Sequence, residues 1–494
     1  MTFASIFFEE IKFIVPEIFF IFSVLTLLCV GIFLSSKYLN IYKNNYRTPY
    51  ISTIINNLFI LSLIFVIILL CKETTLTRLI FDGMYTMNYA LTLIELIILI
   101  ISVIYLLSIN NFLNTDTMYN YEYLILLYIS IFSILLTLHC NSFLHLYITL
   151  EMQSFCFYVL ASSRKSNLYS CEAGLKYFIT GSLISGFLLF GIALLYGTTG
   201  LTNLTELSYF FTTSSFDKLT FTAICFILSA FFFKLTIAPF HVWAPDVYEG
   251  APSIITMFFN IAPKFALIAL LSRILMSTFY AFIDQWQLIF ILVSLLSIIV
   301  SAFFALQQYK IKRFLTYSSV THIGYMILGL STGTIQGVQS LLFYFIVYLI
   351  TTIAIWAILL IVNNKVKYIT DFADLFKNNY LLGISLTIIM FSMAGIPPLA
   401  GFLAKFYTFF VCVENNVLLP AIFAIVISVI TAFYYIRFIK IMYFESTNNN
   451  YVYTSINKNL AVIISAFTLV LVFLCLNPNT LFIITHYISL FLCL

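Results

Sequence analysis

Charged residues are what this chain of 494 residues has least of, because Asp, Glu, Lys and Arg make up only 9% of it. Hydrophobic residues make up 62%, which leaves too little polar surface to cover a soluble globule of this size. Gly and Pro number only 16 and 10, against 54 Phe and 33 Tyr, a skew typical of AT-rich organellar genomes. The composition excludes a water-soluble domain and predicts a membrane protein.

Motifs for nucleotides and redox centres are absent from the sequence. It contains no GxxxxGK[ST] loop, no dinucleotide fingerprint, and no Cys or His set for haem or iron-sulfur clusters. The nine cysteines are scattered singly, without metal-ligand spacing, and are interpreted as small packing residues. We therefore expect no cofactor and no metal in this chain, which must take its driving force from an ion gradient or a partner. The N-terminal stretch MTFASIFFEEIKF has the features of neither a signal peptide nor a transit peptide.

Apolar stretches of about 20 residues, each long enough to cross the hydrocarbon core as a helix, recur from end to end. They predict an all-α polytopic membrane protein with about fourteen transmembrane helices. The last stretch, PNTLFIITHYISLFLCL, is expected to form an interfacial helix or a bent continuation of the fourteenth span. The predicted spans are 14–34, 51–70, 89–109, 121–138, 141–162, 171–196, 219–240, 253–276, 286–307, 312–331, 338–362, 380–410, 420–443 and 457–476.

The basic residues of the loops support this number of spans. Short loops on the cytoplasmic or matrix side of a membrane carry most of the Lys and Arg, so alternate loops should differ in charge. Four basic residues fall on the even-numbered loops: Lys72, Arg78, Lys218 and Arg273. Fourteen fall on the odd-numbered loops: Lys37, Lys43, Arg47, Arg164, Lys165, Lys310, Lys312, Arg313, Lys365, Lys367, Lys377, Arg437, Lys440 and Lys458. The asymmetry predicts that both termini lie on the outer side.

Two spans contain residues that interrupt a helix. The segments are KLTIAPFHVWAPDVYEGAPS and MAGIPPLAGFLAK, and their prolines remove backbone donors and clash with the preceding turn. Lys234 lies five residues before Pro239, and Lys405 lies seven residues after Pro398. A pair of interrupted segments at matching places in two halves is typical of an internal repeat in a transporter.

The spacing between these two lysines supports a repeat. It is 171 residues, and the same offset relates Glu151, in YITLEMQSFCF, to His322, in SVTHIGYM. We therefore predict four regions: N-terminal transmembrane helices at 1–120, a first repeat at 121–276, a second repeat at 286–443, and a C-terminal helix and interfacial tail at 444–494.

Three lysines, Lys234, Lys264 and Lys405, lie in the middle of apolar stretches, where a charge is costly and usually functional. A desolvated lysine loses its proton more readily than one in water, and a nearby carboxylate prevents this by stabilising the charged form. Glu151 is the expected carboxylate, with Lys234 as its partner. The alternative is that these groups form static buried ion pairs that only fix helix packing.

His322 has two interpretations, because a buried imidazole can relay protons between the lysine sites or can simply bond a neighbouring oxygen. His241 is expected to stabilise the bent loop near Asp246 and Glu249. Glu172 and Lys176, spaced i, i+4, are expected to pair, although Lys176 could also tune Glu151. Four more polar residues receive no role: Glu95, His139, His145 and His486.

Five segments together resemble a known family, the antiporter-like membrane subunits of respiratory complex I. They are LEMQSFCFYVLASS, EAGLKYFITGSLISGFLLFGIALLYGTTG, FKLTIAPFHVWAPDVYEGAP, KRFLTYSSVTHIGYMILG and MAGIPPLAGFLAKFYTF, within residues 141–410. Within this family, the segment PDVYEGAP resembles the corresponding segment of subunit 2 of mitochondrial NADH:ubiquinone oxidoreductase, and of its bacterial counterpart subunit N, rather than those of subunits 4 or 5. Residues 1–120 match only in hydropathy.

The resemblance implies fourteen transmembrane helices with two inverted five-helix repeats and one proton channel. It places the family's proton-transfer residues on Glu151, Lys234, Lys264 and Lys405. NADH, FMN, iron-sulfur clusters and ubiquinone would be handled elsewhere in the complex. The implied partners are other complex I membrane subunits and lipids, with no nucleic acid, and the implied location is the mitochondrial inner membrane, with the gene in the mitochondrial genome.

Two other functions remain open on the sequence. The chain could be a stand-alone cation/proton antiporter, because the antiporter-like subunits resemble such exchangers. It could also be an architectural subunit that no longer pumps protons. Copurification with quinone-reductase activity would distinguish a complex I subunit from an exchanger.

Overall fold

The chain folds almost entirely into α-helices. The structure is a computed structural model that describes residues 10–41, 49–72, 77–115, 121–213, 217–362, 367–446 and 457–493. Helices are expected here because a backbone without access to water must satisfy its own hydrogen bonds. Eleven helices of the described ranges are long and apolar enough to cross a membrane. The predicted all-α polytopic fold is confirmed.

The helices follow the predicted spans in order along the described chain. A π-helical turn, Ile274–Thr278, extends α10, and short 3-10 turns lie at Tyr280–Phe282 and Ile369–Phe372. The α-helices are α1 (Val15–Ile41), α2 (Pro49–Leu70), α3 (Tyr89–Thr115), α4 (Tyr121–His139), α5 (Phe143–Ala161), α6 (Leu168–Thr199), α7 (Leu204–Thr213), α8 (Lys218–Lys234), α9 (Trp243–Gly250), α10 (Ser253–Arg273), α11 (Ile283–Leu306), α12 (Ile311–Leu330), α13 (Ile335–Val362), α14 (Leu375–Asn378), α15 (Tyr380–Ala394), α16 (Ala400–Glu414), α17 (Leu418–Phe444), α18 (Lys458–Leu476) and α19 (Asn479–Cys493).

Both predicted helix breaks are present. The first separates α8 from α9 around Pro239, and Thr236 there has a φ of 61°. The second separates α15 from α16 around Pro397 and Pro398, and Gly395 at its start has a φ of 81°. The prolines stop the helices because they cannot donate the next backbone hydrogen bond.

Helices α10 and α13 form the centre of the bundle. In their most apolar 18-residue stretches, 100% of the residues are buried in Ser253–Thr278 and 83% in Ile335–Val362, against 22% in Val15–Ser35. The outer helices turn large apolar side chains outward, which suits contact with lipid or neighbouring subunits. Lys264 lies in α10, so the least accessible helix of the described bundle carries a charged group.

A two-stranded antiparallel hairpin connects α2 to α3, a feature the sequence did not predict. Strand β1 (Arg78–Ile80) pairs with β2 (Tyr85–Met87), and the turn includes Gly83 with a φ of 78°. The side-chain amide of Asn141 donates to the Gly83 carbonyl at 2.7 Å, which fixes the hairpin to the start of α5. Strands of three residues are too short to show an alternating pattern.

Four basic residues of the odd-numbered loops lie together, apart from Arg273 of an even-numbered loop. Arg164, Lys310, Lys312 and Lys367 line one cavity of about 450 Å³. At the hairpin end, Arg273 donates to the carbonyls of Leu138 and Cys140 at 2.9 and 2.6 Å. Lys43, Arg47 and Lys365 lie outside the described residues, as do residues 1–9 of the N-terminal stretch.

The C-terminal stretch forms a helix of its own, α19, after Asn477 and Pro478. It packs on the buried helix α13, where the side-chain amide of Gln339 donates to the Phe482 carbonyl at 3.3 Å. The Asn88 amide, next to the hairpin, donates to the Phe491 carbonyl at 3.3 Å. The described C-terminal end therefore lies at the hairpin end of the bundle.

Candidate functional site

Lys234 is the last residue of α8, directly before the first helix break. Its half-buried ammonium group donates to the Leu150 carbonyl at 3.2 Å. The indole of Trp243 donates to the Phe233 carbonyl at 3.2 Å and so satisfies one of the free acceptors at this helix end. The break therefore places a lysine side chain against the middle of α5.

Glu151 is the residue after Leu150 on α5, whose carbonyl binds Lys234. Among the described residues, no carboxylate lies within 4 Å of the Lys234 ammonium group, so Glu151 and Lys234 are not in direct contact. Glu151 Oε1 is buried without a hydrogen-bond partner, and Oε2 accepts only a long bond of 3.5 Å from Ser154. The lysine prefers the backbone carbonyl because the end of α8 points it there.

A small cavity adjoins Lys234 on the side of α10. It has a volume of about 30 Å³, and its lining includes Gln153, Tyr158, Lys234 and Tyr248. A water needs roughly 10–15 Å³ and two or more polar partners, so this cavity can hold one. Tyr248 also lies against the next lysine, because the Lys264 ammonium nitrogen is 5.7 Å from the centre of its ring.

Lys264 lies at the centre of α10 and is 1% exposed. Its ammonium group donates to the side chain of Asn260 at 2.8 Å and to the Ser319 hydroxyl of α12 at 3.4 Å. Both acceptors are neutral. Ser319 lies about one turn before His322 on α12, so the two sequence-predicted residues Lys264 and His322 are close neighbours.

His322 lies between two tyrosine hydroxyls. Its Nδ1 is 2.9 Å from the hydroxyl of Tyr344 on α13, and its Nε2 is 3.0 Å from the hydroxyl of Tyr435 on α17. A hydroxyl can donate or accept, so both ring nitrogens can exchange a proton with a neighbour. The geometry fits the relay interpretation and also satisfies the imidazole.

Lys405 lies in the second turn of α16, after the second helix break. It donates to the Ala394 carbonyl at the end of α15, at 2.8 Å, and lies 5.4 Å from the centre of the Tyr325 ring. Tyr325 in turn stacks on Tyr344, the partner of His322. Lys234 lies before the first helix break, whereas Lys405 lies after the second. The offset of 171 residues therefore relates two lysines that lie on opposite sides of their helix breaks.

These contacts form one sequence of polar groups through the bundle, which we call the central line. Every member except Lys234 is buried, and successive members touch, share a cavity or lie one helical turn apart. The central line runs through Lys234, Tyr248, Lys264, Ser319, His322, Tyr344, Tyr325 and Lys405.

The charged groups near the first break pair away from the central line. Lys176 bonds Glu172 at 2.8 Å, as predicted, and also Asp246 at 2.9 Å. Asp246 further bonds Arg313 at 2.7 Å, and Glu249 pairs with Lys310 and Arg313. Asp246 and Glu249 on α9 therefore pair with the start of α12, whereas His241 bonds the backbone of Pro239 within the bent loop.

The sequence of this chain is similar to those of known membrane proteins. Residues 140–431 match the family described as the transmembrane region of NADH:quinone oxidoreductase and Mrp antiporters. The chain is 38% identical to NADH-ubiquinone oxidoreductase chain 2 of Marchantia polymorpha over 488 residues, which cover 97% of this chain and 98% of the relative. The chain belongs to this family. NADH-quinone oxidoreductase subunit N of Pelagibacter ubique is another member, 39% identical over 90% of this chain and 92% of its own.

Solved structures of this family share the fold. A chain of respiratory complex I from Thermus thermophilus with bound aureothin is 25% identical and has a TM-score of 0.78, over 94% of this chain and 98% of that one. A chain of the Mrp complex from Dietzia, at 17% identity, has a TM-score of 0.79 over 97% of both chains. The second likeness shows that the fold extends across the family.

The sequence did not identify several members of the central line, chiefly Tyr248, Tyr344 and Ser319. The resemblance to the family highlighted acids, lysines and His322, whereas the chain has 33 tyrosines, so a functional one has no distinguishing pattern. Tyr344 lies in LLFYFIVYLI, which reads as an ordinary buried helix.

Proposed function

We propose that this chain is the proton-translocating membrane subunit of respiratory complex I in which Glu151, Lys234, Lys264, His322 and Lys405 carry the proton. The complex couples NADH oxidation and ubiquinone reduction to proton pumping, and this chain performs no redox chemistry. It is a multi-pass protein of the mitochondrial inner membrane, and its partners are the other membrane subunits of the complex and lipids.

The observation that carries the proposal is the central line itself. Hydrogen bonds link Lys264 to Ser319 and His322 to Tyr344. Ring contacts place Tyr248 against Lys264 and Tyr325 against Lys405. Transfer along such a line needs groups within hydrogen-bond distance or one water apart. The cavity beside Lys234 has room for such a water between Lys234 and Tyr248.

The partners of the lysines argue against static ion pairs. In the described structure the ammonium groups of Lys234, Lys264 and Lys405 donate to neutral oxygens, and none lies within 4 Å of a carboxylate. Each lysine can therefore release its proton without separating an ion pair, which would be costly in a buried site. Glu151 lies one residue from the Lys234 acceptor and supplies the charge that controls this release.

We further propose that this chain holds none of the redox cofactors. NADH, FMN, the iron-sulfur clusters and ubiquinone would bind to partner subunits, and the energy of their reaction would reach this chain through contacts in the membrane. The scattered cysteines fit this division of labour, since all nine are free thiols.

Fractionation of solubilised membranes tests the assignment to the complex. We expect this chain to comigrate with NADH:ubiquinone reductase activity on native gels, and the purified assembly in liposomes to pump protons with NADH and without Na⁺ or K⁺. A chain that migrates alone and exchanges cations for protons without NADH would instead be a stand-alone antiporter.

A second test uses Gly395, which meets Lys405 at the second break. A Cβ on Gly395 would lie 2.8 Å from Lys405 Cδ, and its φ of 81° is strained for other residues by about 1–2 kcal/mol. Gly395→Ala should therefore move the Lys405 side chain and lower NADH-driven proton transport several-fold.

Gly197→Ala is the matched control, because Gly197 lies in α6 with no atom within 4 Å of an added Cβ. Proton transport in proteoliposomes, normalised to assembled complex, measures both variants. Equal transport in the two would mean that the position of Lys405 does not matter to pumping.

A further inference from the structure

A second group of buried titratable side chains lies at the hairpin end of the bundle, apart from the central line. Glu17 lies in the first turn of α1, Glu95 in the second turn of α3, and His139 at the end of α4. They are 4%, 1% and 0% exposed, and one ligand atom of each lies within 4.8 Å of the others. Neither Glu95 nor His139 has a role predicted from the sequence, and the proposed proton pathway uses none of the three residues.

The hydrogen bonds of His139 define which ring nitrogen faces the acids. Its Nδ1 lies 2.9 Å from the carbonyl of Thr86, in strand β2, and a carbonyl can only accept, so Nδ1 carries a hydrogen. In the neutral imidazole, Nε2 then presents a lone pair to Glu95 Oε2, 3.1 Å away. At this distance the two atoms share either a proton, as in an imidazolium–carboxylate pair, or a metal ion.

Two carboxylate oxygens in this group have no partner in the described structure. They are Glu17 Oε2 and Glu95 Oε1, both buried. The other oxygen of Glu17 accepts a hydrogen bond from the Tyr85 hydroxyl, and the Tyr85 ring stacks on His139 at 4.9 Å between centroids. Burying a carboxylate oxygen without a partner is costly, so each of these two oxygens is free to accept a further ligand, such as a bound cation.

The nearest basic side chains do not supply this charge. Arg273 is engaged by the carbonyls of Leu138 and Cys140, and the Arg78 guanidinium lies over the ring of Phe13 at 4.4 Å. Among the described residues, no Lys or Arg lies within 4 Å of either carboxylate. Two carboxylates and a neutral imidazole are balanced in charge by one divalent cation.

We infer that Glu17, Glu95 and His139 bind a divalent transition-metal ion, with Zn²⁺ the best chemical match. Zn²⁺ accepts imidazole nitrogen and carboxylate oxygen at about 2.0–2.2 Å in tetrahedral geometry, which puts neighbouring ligand atoms about 3.3 Å apart. The separation of 3.1 Å between His139 Nε2 and Glu95 Oε2 fits that value. A metal-bound His usually donates its other N–H to a carbonyl, as His139 does to Thr86.

The ion would join three helices and the hairpin at one end of the bundle. Its ligands come from α1, α3 and α4, and the partners of those ligands, Tyr85 and Thr86, come from β2. Zn²⁺ has no redox chemistry, so the inference agrees with a chain that transfers no electrons. It revises the expectation from sequence that the chain has no metal ligands.

Metal content of the purified complex tests the inference. Wild type, Glu95→Gln and His139→Gln complexes would be stripped with a chelator, equilibrated with Zn²⁺, freed of excess ion and assayed for zinc per complex. We expect the wild type to hold one zinc more than either variant. Glu206→Gln is the control, because Glu206 is an exposed carboxylate that only accepts from Asn203 at 2.9 Å, and it should match the wild type.

Equal zinc in the wild type and both cluster variants would overturn the inference and leave protons as the shared cations. If the variants fail to assemble, the wild-type complex alone decides by electron cryo-microscopy. Density between the three side chains should be present after equilibration with Zn²⁺ and lost after chelation. A zinc-saturated complex without that density would also overturn the inference.

Discussion

Replacing Lys264 by methionine should lower NADH-driven proton transport by about tenfold or more, because a group that transfers protons typically contributes at least that much. Lys264 is 1% exposed at the centre of α10 and is the one lysine that contacts both halves of the central line, Tyr248 on one side and Ser319 on the other. Methionine keeps the length of the side chain but cannot hold a proton. Only two hydrogen bonds are lost, each worth about 1 kcal/mol, so the complex should still assemble.

A Lys264→Arg variant separates proton transfer from fixed charge. Arginine keeps the positive charge but does not release its proton in proteins. If Lys264 must deprotonate, the Arg variant should be as inactive as the Met variant. Proton uptake and NADH oxidation would be measured together in proteoliposomes, normalised to assembled complex. Full transport in the Arg variant would show that Lys264 serves only as a charge.

Glu151→Gln should also reduce proton transport by about tenfold, since the carboxylate controls proton release from its neighbour. Glu151 Oε1 is buried without a partner, and the adjacent residue, Leu150, supplies the carbonyl that binds Lys234. Glutamine preserves the shape of the side chain and removes the charge. The complex should assemble normally, because no ion pair in the described structure depends on this residue.

The matched control is Glu172→Gln. Glu172 lies on the next helix, is 58% exposed and pairs with Lys176 at 2.8 Å, so it tests the loss of a carboxylate that does not act on Lys234. It should retain nearly all proton transport, because exposed ion pairs contribute little. The number of protons moved per NADH oxidised measures both variants. Equal values for wild type and Glu151→Gln would remove Glu151 from the pathway.

Local chemistry made the helix breaks predictable. Proline removes a backbone donor wherever it stands, so Pro239 and Pro398 reveal the breaks without any knowledge of the fold. Likewise, a lysine in an apolar stretch is costly in any membrane helix, which singled out Lys234 and Lys405. The i, i+4 pair of Glu172 and Lys176 depends only on helix geometry.

Contacts between distant segments were not predictable in the same way. The sequence indicated Glu151 as the partner of Lys234, but it could not show that the end of α8 directs the ammonium group to the Leu150 carbonyl. Tyr248 and Tyr344 became part of the central line only because α9 and α13 pack beside α10 and α12. Their residue type is too common in this chain to indicate a role.

The sequence by itself determined the membrane class, the order of the helical segments, the places where helices break, and which charged side chains lie in apolar surroundings. These follow from composition and from rules that act within about one helical turn. Tertiary structure alone decided which groups meet, and it brought Glu17, Glu95 and His139 from three separate helices into one buried cluster. Side-chain contacts depend on how helices rotate and pack against each other, and hydropathy carries almost no information about that rotation.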